Sequence, residues 1–146
     1  MQADELRAMQ SPLKDRYRED PEAAVVTLRA DATLGEGVTC SVQTGRALAT
    51  AGLHPATGGD GAALCSGDML LEALAACAGV TMRAVGTSLA IPVEGQVIAE
   101  GDLDFRGTLG VDREAPVGFR SIRLRFDLVT DAEDERVAKL IELTER

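Results

Sequence analysis

The sequence predicts an α+β domain with elements in the order βββ–α–ββ–α, preceded by a short polar arm. Three observations carry this. Alternating, β-branched stretches lie on both sides of one long Ala- and Leu-rich segment. That segment, 69–82, is apolar nearly all the way round apart from Glu72, the pattern of a helix buried on most faces. A last stretch carries a single apolar stripe on an otherwise charged helix. Strands joined as antiparallel pairs by Gly-containing turns, with helices set apart from them, define the α+β class.

The elements follow in order. Residues 1–23 are polar, with Pro12 and Pro21 as breakers, and Leu6, Met9, Leu13 and Tyr17 have the spacing of a short helix or docking arm. The folded domain is expected over 24–146. Val25 to Ala30 reads as a strand, Gly35-Glu36-Gly37 as a turn, Val38 to Gln43 as its partner, and Arg46 to Ala51 as a third strand after Thr44-Gly45. Residues 52–68 form a loop with the run Gly58-Gly59-Asp60-Gly61, and loops of such length are usually functional or disordered. The central helix is expected over Asp68 to Ala90, with Ser66 as N-cap and Asp68 in the first turn, where a negative charge suits the helix dipole. Strands follow over Val93 to Gly107 and Val117 to Thr130. In the first, Val97, Ala99, Gly101, Leu103 and Phe105 share one face; in the second, Ile122, Leu124, Phe126 and Leu128 do. Asp131 to Arg146 closes the chain as an amphipathic helix, striped by Val137, Leu140, Ile141 and Thr144.

Composition narrows the function. The 146 residues suit one domain, and 24 acidic against 15 basic residues leave a net charge of −9. A nucleic-acid binder needs clustered Lys and Arg, and an anionic membrane would repel this surface. With no Trp, one Tyr and three Phe, the core is aliphatic and Ala-rich. Asp4, Glu5 and Arg7 break any signal-peptide core, and the apolar stretch 69–82 is shorter than a bilayer span, so a cytoplasmic, reduced protein is expected. A single sheet covers only one side of the central helix. The other side calls for a second covering layer, which a partner subunit could supply.

Chemistry rests on three cysteines and one histidine. Cys77 lies in Leu74-Ala-Ala-Cys-Ala-Gly-Val, in the middle of the central helix, where a free Cys is ordinarily a small core hydrophobe. A reactive thiolate needs a nearby cation or a helix N-terminus, and Cys77 sits about 15 Å along the helix from Gly67. Its cation must come from Arg46, Arg29 or a partner chain. Cys65, just before the helix, is better placed by local electrostatics, or it tucks the loop against the core. Cys40 reads as a strand residue. No C-x-x-C pair occurs. His54 with Cys65, Cys40 and Asp60 lacks the paired spacing of a zinc site. His54 beside Pro55 reads as a turn residue or a general base. Asp68 and Glu72 share a helix face, either as capping and rim acids or as a carboxylate holding an arginine against the thiolate. No phosphate loop is present.

Ser66-Gly-Asp-Met-Leu-Leu-Glu-Ala-Leu-Ala-Ala-Cys-Ala-Gly-Val-Thr-Met82 resembles the helix signature of the OsmC/Ohr family, the osmotically inducible and organic hydroperoxide resistance proteins. Thr44-Gly45-Arg46, Thr50-Ala51-Gly52 and the element order resemble it as well. The resemblance covers roughly residues 24–146. It implies antiparallel sheets wrapped around the central helices of an intertwined homodimer. It also implies thiol peroxidase activity on an organic hydroperoxide in oxidative-stress defence, with Cys77 as the peroxidatic residue, a dithiol or thiol-protein reductant, and no cofactor. The site residues it points to are Cys77, Asp68 and Arg46. Three departures stand beside it. The family's motif carboxylate aligns with Gly67, and Asp68 comes one place later. The first turn, Leu34 to Gly37, has no Arg, so Arg46 or Arg29 must substitute. The family's second Cys falls beyond the last helix, so the resolving thiol lies past Arg146, or is Cys65, Cys40 or an external thiol. The alternative is a non-catalytic dimeric relative that binds a small apolar or electrophilic molecule.

Overall fold

The computed structural model describes residues 3–34, 40–42, 51–62 and 64–146. The turn expected at 35–37, most of the third strand, and Arg46 lie outside the described residues. The elements are α1 (Ala3–Glu19), a 3-10 turn (Pro21–Ala24), β1 (Val25–Leu34), β2 (Cys40–Val42), a second 3-10 turn (Pro55–Thr57), α2 (Ser66–Ser88), β3 (Glu94–Asp104), the one-turn α3 (Phe105–Thr108), β4 (Phe119–Val129) and α4 (Asp134–Thr144). The strands form a four-stranded sheet in the order β2-β1-β3-β4. β1 and β2 pair antiparallel, with Ala32 opposite Val42 and Leu34 opposite Cys40. This is the α+β architecture expected, and the chain divides into two compact units.

The first unit comprises Met1–Leu28, Gly45–Met69 and Glu100–Ile122. The arm is a full helix. Pro12, expected to break it, sits inside α1 on an exposed position. A proline removes one helical hydrogen bond, and docking compensates for it. Tyr17 is 2% exposed, and its hydroxyl donates to the Ala56 carbonyl at 2.7 Å. Burial pushes the Tyr17 phenol above its usual range. The Gln10 side-chain amide donates to the Thr57 carbonyl at 3.1 Å. Gly58 has φ +95, and a Cβ there would fall 2.5 Å from the Met9 sulfur, so only glycine lets α1 approach.

β3 ends earlier than its alternation suggests. Asp104 accepts from the Arg106 backbone N–H at 3.1 Å and turns the chain into α3, the action of an N-cap. The Asp104 carboxylate is buried and bound by the Arg106 guanidinium at 2.6 Å. Asp102 joins the neighbouring strands by accepting from Thr27 at 2.7 Å and Ser121 at 2.9 Å.

The second unit comprises Arg29–Thr44, Leu70–Ala99 and Arg123–Arg146. Its core is Met82, Ile91, Val93 and Leu140, flanked by Leu34, Val85, Leu89, Phe126, Leu128 and Ile141 among others. α4 buries the predicted stripe, with Leu140 and Thr144 inward. It starts at Asp134 rather than Asp131. The Thr130 hydroxyl donates to the Pro92 carbonyl and accepts from the Ala132 N–H, which holds the preceding link in a turn.

α2 stops at Ser88, two residues short of the expected Ala90. Ala90 adopts φ +50, and the Ile91 N–H reaches back to the Gly86 carbonyl at 2.8 Å, a left-handed helix stop. A Cβ on Gly86 would lie 3.2 Å from both the Ile91 carbonyl oxygen and a Val93 methyl, so a small residue is needed where the chain folds back.

Candidate active site

The face of α2 decides what its cysteine can do. Leu71, Ala75, Ala78, Gly79, Met82 and Gly86 are buried. Leu70, Ala73, Cys77, Val80, Ala84 and Thr87 are exposed. These six recur at alternating intervals of three and four, so they form one straight stripe along the helix. Leu70 is 52% and Val80 41% exposed. By length and composition alone, α2 meets the requirement for a membrane span, yet only 33% of its apolar window is buried. The helix expected to be covered on most faces is thus covered on one, and the other is an apolar stripe with Cys77 at its middle.

Cys77 is free and exposed. Among the described residues its sulfur has no hydrogen-bond or ion-pair partner. Arg29, one candidate cation, is exposed and paired with Asp31 at 2.9 Å. Arg46 lies outside the described residues. Asp68 does not reach Cys77 of its own chain: nine residues on a helix correspond to about 14 Å and to the opposite side. Its place in the first turn of α2 suits the helix dipole instead.

Cys65 takes the capping position expected for Ser66. α2 begins at Ser66, and the Gly67 N–H donates to the Cys65 sulfur at 3.3 Å. The residue is half-buried and free. Cys65 and Cys77 are separated by about 18 Å along the helix, whereas disulfide-bonded Cα atoms lie about 4.4–6.8 Å apart. These two thiols therefore cannot pair within one chain. Cys40 ends the β1–β2 pairing opposite Leu34, and its side chain lies outside the described residues.

His54 is a structural hub of the first unit. Its Nδ1 accepts from the Ala56 N–H at 3.0 Å, which caps the turn that holds α1, and its ring stacks on Phe105 with centroids 4.9 Å apart. Asp60 accepts from the Ala62 N–H at 2.9 Å, an ordinary loop bond. Among the described residues, no group of His, Cys, Asp and Glu could hold a metal ion.

Sequence reasoning missed Arg83. It follows Val80 by three residues, and its guanidinium donates to the Val93 carbonyl at 2.8 Å. It borders a cavity of about 290 Å³ lined also by Gly86, Thr87, Ile91, Pro92 and Val93. Its signal was available, because Arg83 is the one basic residue of α2.

No curated protein matches the chain. The family described as OsmC-like protein matches residues 58–146, which takes in the whole of α2 and every element after it. With more than half of its length matched, including the helix that carries Cys77, the chain belongs to the OsmC-like protein family.

Proposed function

We propose that this OsmC-like chain is a thiol peroxidase that reduces organic hydroperoxides, with Cys77 as the nucleophile, and that it works as a homodimer. The observation that carries the reading is the exposure of Cys77 at the middle of an apolar stripe on α2. A buried packing cysteine would face Leu71 and Met82 instead. A second copy laid on the stripe would close an apolar site around the thiol, suited to the organic part of a hydroperoxide.

In the first step the Cys77 thiolate attacks the terminal oxygen of the hydroperoxide. The O–O bond breaks, the sulfur gains the OH as a sulfenic acid, and the alkoxide leaves and takes a proton from solvent. In the second step a further thiol displaces the OH as water and forms a disulfide. An external dithiol or thiol protein then reduces that disulfide, itself becoming oxidised, and restores both thiols. The 18 Å separation derived above directs the second step away from Cys65 of the same chain. The free cysteines suit a reducing, cytoplasmic setting.

The test is consumption of tert-butyl hydroperoxide in the presence of dithiothreitol. Wild-type protein is expected to turn over and Cys77→Ser to be inactive. Unchanged turnover in Cys77→Ser would remove the reading. The second reading, a dimeric binding module, is favoured by the lack of a cation beside Cys77 among the described residues. It predicts saturable binding of an apolar ligand with no turnover of any hydroperoxide.

A further inference from the structure

We propose that the cavity beside Arg83 is a binding site for a small organic monocarboxylate, whose carboxylate meets the Arg83 guanidinium and whose apolar body packs against the 89–93 turn. The inference goes beyond the peroxidase reading and makes no use of Cys77.

The cavity measures about 290 Å³ and lies in the second unit, where the end of α2 meets the entry to β3. Its walls are apolar or lack a side chain. Ile91 and Val93 are buried, Ala90 and Pro92 complete the turn, and Gly86 leaves room. Among the described residues, Arg83 is the one charged group that lines it, in a chain whose net charge is −9. The Arg83 side chain is half-buried, and its guanidinium is held at this wall by the 2.8 Å bond to the Val93 carbonyl. A cation fixed in advance beside apolar walls attracts an anion more strongly than one in open water, and it loses little freedom on binding. The thiol lies elsewhere on the helix: six residues separate Arg83 from Cys77, about 9 Å along α2 and about 120° round it.

The other polar groups of the lining are already used. The Thr87 hydroxyl donates to the Arg83 carbonyl at 2.8 Å, and the Ile91 N–H donates to the Gly86 carbonyl at 2.8 Å. The Ala90 N–H donates to the Thr87 carbonyl at 3.2 Å, and the Pro92 carbonyl accepts from Thr130. A ligand therefore meets a guanidinium and hydrocarbon. With five N–H donors a guanidinium serves the Val93 carbonyl and a further acceptor at once, and its paired N–H groups match the two oxygens of a carboxylate. A phosphate carries more charge and more oxygens than this lining could satisfy. Size sets the body. A cavity of about 150 Å³ accepts benzene, so this one takes a single ring or a short branched chain beyond the carboxylate.

The surroundings favour an anion as well. Leu89 and Ile91 also line a smaller cavity, about 90 Å³, with Arg136 and Lys139. The Arg136 guanidinium is fixed on the Leu89 carbonyl at 2.8 Å, and Lys139 pairs with Glu142. Basic residues gathered round one turn draw an anion towards it. Among the described residues, Ala90 is the one non-glycine residue with positive φ, and backbone held in that region gathers at ligand clamps.

The experiment titrates benzoate into the full chain at neutral pH and follows backbone amide shifts by NMR. Benzamide, which keeps the ring and loses the charge, and inorganic phosphate are titrated beside it. Benzoate is expected to bind saturably with Kd about 1 mM, the range of so small a ligand, with shifts centred on residues 83–93. Benzamide and phosphate are expected to bind at least about tenfold more weakly. Arg83→Met is expected to lose about tenfold in benzoate affinity, with Arg83→Lys in between. Arg125→Gln, which removes an exposed cation of β4, is expected to bind as the wild type does. Urea midpoints show which variants are folded, and the wild-type comparison of benzoate with benzamide decides the matter if Arg83→Met does not fold. No saturable benzoate binding up to about 10 mM, equal affinity for benzamide, tighter binding of phosphate, or wild-type affinity in Arg83→Met overturns the proposal. None of these measurements involves the thiol, so the outcome is separate from that of the hydroperoxide assay.

Discussion

A charge placed on the exposed stripe of α2 tests whether that face is an interface. The substitution is Val80→Glu. In the single chain Val80 is 41% exposed, so a polar residue there costs the protomer within about 0.5 kcal/mol. In a dimer closed over the stripe the cost is different. Full burial of a Val side chain contributes about 1.5–3 kcal/mol. The part still exposed, 41%, therefore corresponds to about 1 kcal/mol per copy, and symmetry counts it twice. Two carboxylates brought face to face add a desolvation cost of several kcal/mol. A total near 4 kcal/mol or more weakens the dimer by about a thousandfold. Sedimentation velocity across protein concentrations reads this directly, with the urea midpoint at monomer concentrations as the folding control. Wild-type protein is expected to sediment as a dimer and Val80→Glu as a folded monomer. A variant that remains a dimer, or a wild-type chain that is monomeric throughout, refutes the assignment of the stripe.

Three further outcomes follow from the packing. Leu140 is 0% exposed against Met82, Ile91 and Val93, so Leu140→Ala is expected to lower unfolding free energy by about 2–5 kcal/mol in denaturant titration. Tyr17→Phe removes the bond to the Ala56 carbonyl and is expected to cost about 1 kcal/mol. Because Tyr17 is the only tyrosine in a chain without tryptophan, the absorbance of the wild-type phenol near 295 nm during a pH titration reports α1 docking without a label. The Arg106 guanidinium beside Asp104 holds its carboxyl below the usual aspartate range, despite burial. A lowered folded value means that the pair's stabilisation is full above the unfolded aspartate value, near 3.8, and is lost as pH falls through the folded value. Asp104→Asn is therefore expected to be less stable at neutral pH and to lose less on acidification below pH about 4, measured as urea midpoint against pH.

The parts of the fold legible in the sequence were those fixed by periodicity. β3 buried Val97, Ala99, Gly101 and Leu103 of the predicted face, and α4 buried Leu140 and Thr144 of its predicted stripe, whereas β4 covers Leu124, Phe126 and Leu128 only in part and leaves Ile122 43% exposed. The boundaries were less legible because single side chains set them through contacts distant in sequence or through local capping. Asp104 ended β3 by accepting from Arg106, and Thr130 delayed α4 by bonding to Pro92. Pro12 was tolerated inside α1 because Tyr17 and Gln10 dock that helix onto the 54–58 segment, contacts no local rule contains.

Ala90 is a boundary of the same kind, and it is testable. A left-handed φ of +50 costs an L-residue about 1–2 kcal/mol relative to its preferred conformations, and glycine escapes that cost. Glycine also gains entropy in the unfolded chain, which offsets part of the gain, by about 0.4–1 kcal/mol. The net expectation for Ala90→Gly is about 0.5–1 kcal/mol of added stability, a rise in Tm of about 2–4 °C for a domain of this size. The helix stop at Ile91 N–H to Gly86 carbonyl would be retained, since no side chain takes part in it. Calorimetry on the full chain decides the point. An unchanged or lowered Tm would mean that the turn at 89–91 is fixed by the Pro92 and Val93 strand entry and by the Arg136 bond to the Leu89 carbonyl, with Ala90 bearing no strain of its own. The link matters for the candidate site because this turn leads into Val93, which packs against Met82 and whose carbonyl anchors Arg83 of α2. Ala90→Gly is thus expected to raise Tm while leaving the rate of Cys77 alkylation unchanged.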